Sequence, residues 1–579
     1  MREEEKGMSF LLSLQRKKGK DMSEFIDYGN YDFRRVRNSD FVDKSGLIDF
    51  TNRKLDTEKS FICISRPRRF GKSVAAKMLY AYYDRSSDSR ELFKGLEAEK
   101  AKDYETHLNK YPTIYIDWNW FSDEDKETVV KAAQKRIVAD LKDTYPFLEE
   151  KESLKNALVE INKKTGDRFI MIIDEWDRLV REVGIDVQTE YVNFLRSMFK
   201  SNMANKIFLL VYMTGILPII KTETQSALNN FEEFSVVDPG VTAKYYGFTR
   251  AEVEKLCKEH DMDIEQMRHA YDGYIIGDEK SMFNPNSVMM SISKRNYNSF
   301  WSRTAAFSTI EPYIKIDADG VREKIISMMN GESVLVKVSS FRNDMKRIEN
   351  SDDVLTLLVH LGYLSYDPET QNVRIPDSEV AEEFENAIGL AGWGEVSQAI
   401  KDSRELLDRT IKGDTEYVSK AFDNYRFAAS SILGISESCL FPRCASSSKS
   451  SFTSVNSGFD DSRALKNLAF SHPQDNGSEN SMACAIKLAY YAAISFYNIC
   501  REMPAGKGFA DMVFVPLRNS TRPAIVVELK YDKTVKAAID QIKKKNYPEC
   551  LKGVSNKILL VGINYDKAEG KHQVVIEEA

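Results

Sequence analysis

The sequence predicts an α/β protein: a parallel-sheet domain, a helical middle region, and a second, carboxy-terminal α/β domain. Three observations predict it. Between Ser60 and about Leu217, the short apolar runs FICIS, TIYIDW, FIMIID and IFLLVYMTG alternate with longer stretches such as ETVVKAAQKRIVADLKD, which carry apolar residues at helical spacing. Strands that alternate with helices in this way build a mostly parallel sheet. From Thr249 to about Lys294 the chain reads as helices, and TRAEVEKLCKEH opens on a Thr with a Glu three residues on, a capping box. Near the carboxy terminus a helix (SMACAIKLAYYAAISFYNI), two strands around Asp511 and Glu528, a second helix and the strand KILLVGIN form a separate α/β pattern.

These patterns divide the chain into an amino-terminal extension (1–30), the parallel-sheet domain (31–245), a helical and mixed middle region (246–400) and the carboxy-terminal domain (401–579). A serine-rich stretch, CASSSKSSFTSVNSGFDD, marks an insertion near 434–476. The 579 residues, 42% hydrophobic and 29% charged, are enough for more than one core. A net charge of −6 means that any contact with nucleic acid comes from a local patch rather than a globally basic surface. The seven cysteines contain no CxxC, which excludes a zinc ribbon or a disulfide framework and points to a reducing, cytoplasmic setting. MSFLLSL is too short for a signal core with its cleavage site, and IFLLVYMTGIL is about half the roughly 20 residues a membrane helix needs. No membrane association is expected.

The stretch ISRPRRFGKSVAAK follows the strand FICIS directly and leads into a helix. A strand, a loop ending in Gly-Lys-Ser and a helix N-terminus bring backbone N–H groups and a lysine onto the β- and γ-phosphates of a nucleotide, with the serine hydroxyl on magnesium. The segment Arg66, Pro67, Arg68, Arg69, Phe70, Gly71, Lys72, Ser73 and Val74 is therefore the candidate ATP-binding loop. Arg66 stands where the first glycine of such loops falls; Pro67 fixes a turn, and Arg66, Arg68 and Arg69 add positive charge beside the anion. FIMIIDEWD ends a buried strand on acids at the carboxyl edge of the sheet, where ligands bind in open α/β folds. Asp174 is placed to anchor the Mg²⁺ shell and Glu175 to act as general base on the attacking water. Thr214, at the end of IFLLVYMTG, is placed to sense the γ-phosphate, and Arg178, Arg181 and Arg196 are candidates for an arginine finger.

In GKGFADMVFVPLRNSTRPAIVVELKYD, two apolar runs flank the polar turn LRNSTR and read as a hairpin. A symmetric turn centres the pairing between Asn519 and Ser520 and sets Asp511 opposite Glu528, their Cβ atoms roughly 5 Å apart. Like charges so placed call for a cation between them, and Mg²⁺ is the natural one. Alternation along the strand projects Lys530 from the same face as Glu528. Two oxygen ligands beside a lysine suit the hydrolysis of a phosphodiester. Glu479 and Glu502 are further candidate ligands, and the following helix carries Gln541 and Tyr547.

The segments RPRRFGKS, IIDEWD, QSALNNFEEFSVVDPGVTAKYYGFTRAEVEKLC and YDGYIIGDEKSMFNPNSV resemble the predicted AAA-ATPase-like family found in bacteria. GKGFADMVF, PAIVVELKYDK and AIDQIKKKNYP resemble the PD-(D/E)XK nuclease superfamily domain that follows this ATPase. The resemblance runs from about Asp32 to Val561. It implies an AAA-like P-loop fold, a restriction-endonuclease-like carboxy domain, and a family in which Arg66 in place of glycine is ordinary. It also implies Asp511, Glu528 and Lys530 as the nuclease triad, with Gln541 and Tyr547 as the helix motif beside it. One departure is that SSIL (430–433) and GSENS (477–481) are separated by a long serine-rich stretch.

Together these readings imply a cytoplasmic ATP- and Mg²⁺-dependent ATPase coupled to a nucleic-acid-cleaving domain, DNA being favoured over RNA, in defence or mobile-element maintenance. A homo-oligomer is compatible with that class. Two other readings are a nucleotide-switched signalling or scaffold protein whose nuclease-like domain only binds nucleic acid, and an ATP-bound clamp that has lost hydrolysis.

Overall fold

The computed structural model describes residues 24–579 except 27, 126–127, 150–152, 220, 223–224, 227, 302–319, 330, 342–349, 391–393, 433–485, 487–488, 506–507, 518–521, 546–550, 552–554, 556 and 567. The chain divides into two compact units, the first comprising residues 1–306, 317–321 and 333–380 and the second the remainder.

The first unit is built on a parallel sheet of β1 (Phe61–Ser65), β2 (Thr113–Asp117), β3 (Phe169–Asp174), β4 (Phe208–Gly215) and β5 (Glu232–Phe234), in the order β2-β3-β4-β1-β5. β1 and β3 are buried along their whole length, which is why both read as unbroken apolar runs rather than alternating ones. Strand alternation divides their side chains between two cores. Phe61, Cys63, Met171 and Ile173 pack on one face with helices α2 (Val129–Thr144), α3 (Leu154–Thr165) and α4 (Ile185–Phe199). Ile62, Ile64, Ile170 and Ile172 pack on the other with α1 (Lys72–Tyr83).

Residues from Phe248 onward add α5 (Arg250–Glu259), α6 (Ile264–Tyr271) and α7 (Pro285–Lys294) to the same unit. The expected capping box is present: the Thr249 hydroxyl accepts from Glu252 N at 3.4 Å, and the Glu252 carboxylate accepts from Thr249 N at 2.7 Å. The reading of this stretch as helices alone needs correction. A hairpin of Asp272–Ile276 and Glu279–Phe283 lies between α6 and α7, turning at Gly277 and Asp278, where Gly277 has φ +61.

The second unit carries a five-stranded sheet of β6 (Tyr497–Ala505), β7 (Gly508–Pro516), β8 (Ala524–Tyr531), β9 (Ile558–Asp566) and β10 (Lys571–Glu578), in chain order across the sheet. Only β8 and β9 run parallel, joined by a crossover through α8 (Val535–Lys544). Here too one expectation is corrected. The carboxy-terminal part of SMACAIKLAYYAAISFYNI is a 3₁₀ turn (Tyr491–Ser495) followed by β6 rather than helix. Ala524 and Val526 face Ile539 and Ile542 of α8 in the core, so Glu528 and Lys530, two and four residues further on, share that face where the apolar stretch ends. Gly562 is opposite Glu528 in the parallel register, and a Cβ there would lie 3.0 Å from Ile539 and 3.1 Å from Ala538. The missing side chain lets α8 approach the sheet beside Glu528.

Candidate functional site

The loop after β1 turns twice through left-handed backbone, at Arg69 (φ +67) and Gly71 (φ +88), and α1 starts at Lys72. A Cβ on Gly71 would meet nothing within 4 Å, so glycine is required there by the dihedral and not by space. Lys72 is buried, and its ammonium folds back to donate to Pro67 O at 3.0 Å. Burial holds its pKa below the usual lysine value, although Glu175, Asp174 and Asp177 act to raise it. Val74 is exposed on the first turn of the helix.

Asp174 ends β3 with 1% of its surface exposed. Its carboxylate accepts from Tyr115 Oη at 3.2 Å and from Glu175 N at 3.1 Å, and hydrogen-bonds the Ser73 side chain. Burial, with the charges of Asp117 and Glu175, pushes its pKa up to about 7 against the pull of Ser73 and Lys72. The structure thus joins the two halves of the expected site, Ser73 of the loop and Asp174 of the strand. Thr214 is buried at the end of β4, which lies between β1 and β3, and among the described residues its hydroxyl has no hydrogen-bond partner. A hydroxyl, a buried carboxylate and a buried lysine at one sheet edge form a donor set that fits a nucleotide phosphate with a hard cation.

The arginines of the loop do different work from that expected. Arg66 is fully buried and donates to Ser65 O at 2.9 Å, Phe234 O at 2.8 Å and Thr242 Oγ1 at 2.8 Å, with its guanidinium 5.1 Å from the Tyr246 ring centre. Burial lowers its pKa to about 10. Its charge is therefore not presented to an anion; it ties the start of the loop to β5 and the turn after it. Arg69 Nη1 donates to Phe300 O at 3.2 Å, so it too is directed at least partly to protein backbone. Phe70 is buried edge-on against Tyr274 at 5.0 Å, Gly247 N donates to Phe70 O at 3.0 Å, and a Cβ on Gly362 (φ +91) would come within 2.7 Å of Pro67. Residues 66–70 are thus held by chain more than 160 positions away. Arg68 is part-buried, and its carbonyl accepts from Asn284 Nδ2 at 3.5 Å.

Of the arginine-finger candidates, Arg178 pairs with Glu182 at 3.1 Å and Arg181 with Glu175 at 2.9 Å and Asp177 at 2.8 Å, so neither is directed outward; Arg196 is part-buried on α4. Sequence reasoning passed over Asp117, which stands level with Asp174 in the β2–β3 register and whose pKa burial raises. The signal was there: TIYID ends on an acid as FIMIID does.

In the second unit, Met512, Val513 and Phe514 pair with Val527, Val526 and Ile525. This is the register expected from a turn centred between Asn519 and Ser520; the pairing runs as far as Met512 and Val527, the neighbours of Asp511 and Glu528. Asp511 Oδ2 accepts from Leu529 N at 2.7 Å. Glu528, 1% exposed, receives Lys530 Nζ at 2.9 Å and Gln541 Nε2 on the same oxygen, Oε1. Its other oxygen, Oε2, is buried and has no hydrogen-bond partner among the described residues. Burial first, and then the charge of Asp511, pushes the Glu528 pKa up to about 7; Lys530 and Lys545 oppose this. Lys530 Nζ also donates to Leu529 O at 3.0 Å. Two adjacent carboxylates, one with a buried oxygen lacking a partner, fit a divalent cation with oxygen preference. Among the described residues no cluster of three or more His, Cys, Asp or Glu side chains forms a metal cage. Glu479 and Tyr547 lie outside the described residues, and of Glu502 only the backbone, in β6, is described.

A phosphate loop facing a strand-end acid, and a separate sheet with an Asp, a Glu-x-Lys and a helix glutamine, define a nucleotide-binding protein with a nuclease-like domain. Residues 27–224 match the family described as predicted AAA-ATPase, and residues 478–575 match the PD-(D/E)XK nuclease superfamily. These families generally use a nucleotide and a divalent metal. Solved structures similar to this chain include the Aeropyrum pernix ORC2 protein (ADPNP–ADP complexes), at 10% identity and TM-score 0.24 over 63% of this chain and 100% of that one. C. elegans PCH-2 is similar at 11% identity and TM-score 0.18, over 57% and 67%. A search of curated proteins gives no significant match. Among the described residues no helix is long and apolar enough to cross a membrane.

Proposed function

We propose that the protein binds and hydrolyses ATP at Lys72, Ser73 and Asp174 and cleaves a nucleic-acid phosphodiester at Asp511, Glu528 and Lys530, with DNA as the favoured substrate and the cytoplasm as its setting. The observation that carries the reading is the Glu528 carboxylate: Lys530 and Gln541 hold one oxygen, while the other is buried and has no hydrogen-bond partner among the described residues. Bound Mg²⁺ would supply Lewis-acid polarisation of a phosphoryl oxygen and a more acidic water. Asp511 and Glu528 would hold it, and Lys530 would steady the charge that develops at the scissile phosphate. In the other unit, Lys72 would leave Pro67 O for the phosphates, Ser73 and Asp174 would orient the cation, and Glu175 would take the proton of the attacking water. Defence against foreign nucleic acid, or maintenance of a mobile element, suits such a pairing.

The test is incubation of plasmid and single-stranded DNA and RNA with Mg²⁺, without nucleotide, with ATP and with a non-hydrolysable analogue. Wild type is expected to cut and Asp511→Ala to lose at least about 10²-fold in rate, the lower range for removing a group that acts in the transition state. Intact substrates with both proteins, under every nucleotide condition, sink the nuclease reading.

A further inference from the structure

We propose that Arg181 is a positioning residue for Glu175 and links it to the end of β4, an inference that rests on the ATPase reading above. Glu175 follows Asp174 with φ +53, a left-handed kink for a non-glycine residue that turns its carboxylate out of the line of β3. Arg181 Nη2 donates to that carboxylate at 2.9 Å, while Arg181 Nε donates to Asp177 Oδ2 at 2.8 Å. The arginine side chain is 11% exposed and Asp177 is fully buried. The two oxygens of Asp177 accept from Ile216 N at 3.1 Å and Leu217 N at 3.0 Å.

These amides follow Thr214 and Gly215 directly. Thr214 O accepts from Trp176 N at 3.1 Å. A Cβ on Gly215 would lie 2.5 Å from Asp177 Oδ1 and 2.6 Å from the Trp176 ring, so no side chain fits between the strand exit and the acid. The contacts form one unbroken series: the backbone after Thr214, Asp177, Arg181, Glu175. A shift of β4 on contact between Thr214 and a phosphate would reach the Glu175 carboxylate through two charge-assisted pairs, which are shorter and stronger than neutral hydrogen bonds. With both ends of its guanidinium engaged, Arg181 is not an arginine finger for a neighbouring subunit.

The test is a cycle of Arg181→Gln and Glu175→Gln in the full chain, read by single-turnover ATP hydrolysis, equilibrium binding of mant-ATP, and melting of the nucleotide-free protein. Expected are a loss of at least tenfold in the hydrolysis rate for R181Q, mant-ATP affinity within twofold of wild type, partial recovery in Arg181→Lys, and no further loss when R181Q is added to E175Q. If R181Q does not fold, as its melt will tell, R181K carries the cycle with the same expectations at smaller amplitude. A loss that multiplies with that of E175Q, or that is matched by weaker mant-ATP binding, makes Arg181 a structural residue and overturns the proposal. Wild-type turnover with unchanged arginine variants overturns this proposal alone; absence of wild-type turnover overturns it together with the ATPase reading.

Discussion

In the first unit the lysine and the acid of the candidate site are held apart, Lys72 on the carbonyl of Pro67 and Asp174 on Tyr115, Ser73 and its own chain. In the second unit Lys530 lies on Glu528 itself, at 2.9 Å. Both acids are nonetheless pushed up to about 7, because burial outweighs the neighbouring cation in each. The difference lies in what supplies the compensating charge. The nucleotide site has its cation turned to backbone, which suits a ligand that brings its own negative charge and displaces that contact. The carboxy-terminal site has its lysine set in place beforehand, and Gln541 fixes the Glu528 oxygen it uses, so that the oxygen without a hydrogen-bond partner among the described residues is Oε2.

The largest expected effect separates the support of the loop from its chemistry. Arg66→Gly would bring the loop closer to the usual phosphate-loop pattern, yet it would strip Phe234 O and Thr242 Oγ1 of their buried donor. Thr242 Oγ1 keeps its bond to Pro239 O, but a buried acceptor left without its donor costs about 1–3 kcal/mol, so unfolding in denaturant is expected to shift by that amount toward the unfolded state. An unchanged midpoint would show that the arginine is dispensable to the loop and return it to the role of an anion ligand. Gln541→Ala examines the other side of the comparison. It keeps both carboxylates and the lysine but frees the Glu528 carboxylate to rotate, and outer partners of this kind are typically worth about 10–100-fold in metal affinity or activity. Titration with Mn²⁺ followed by calorimetry reads this, and equal affinity in wild type and variant would mean that Lys530 alone orients Glu528.

How much of this was legible in the sequence depended on how far each residue's partners lie along the chain. The four main strands showed as apolar runs because their burial is local to each run. The register of Met512 to Phe514 against Ile525 to Val527 followed from the closeness of the two runs in sequence, and the side of Lys530 followed from alternation. Arg66 was misread because its partners, Phe234 and Thr242, are far away in sequence and give no local sign. The start of β6 was read as helix because YYAAISFYNI is a short apolar stretch, and such stretches do not separate helix from strand by period. Asp177 drew no assignment from the sequence, since the amides it binds, Ile216 and Leu217, belong to another strand's exit. The hairpin at 272–283 was hidden by the strong helical patterns on either side of it.

The smallest expected effect concerns pH, and it compares the two acids in the metal-free protein. A carboxyl raised to about 7 in the folded chain keeps its proton between roughly pH 4 and 7, where the unfolded chain has already lost it. The folded state then binds more protons than the unfolded, so stability from this source is complete below the unfolded pKa and is lost as pH rises toward and through 7. For Glu528 burial sets this first, Asp511 adds to it, and Lys530 and Lys545 oppose it. For Asp174 burial again comes first, with Asp117 and Glu175 adding to it against the Ser73 hydrogen bond and Lys72. Glu528→Gln removes the titration in the second unit while leaving that of the first. Its melting temperature is expected to gain on wild type by about 2–4 °C between pH 5 and pH 8, the shift that a modest change in stability produces for a unit of this size. Asp174→Asn should show the same trend in the first unit, where the lysine of the site bonds Pro67 O rather than the acid. Mg²⁺ added at pH 8 should raise wild type and leave E528Q behind, since a cation bound only by the folded chain stabilises it by mass action. A difference between wild type and E528Q that stays flat from pH 5 to 8 would mean that Lys530 neutralises Glu528 fully, and the contrast drawn between the two lysines would then be wrong.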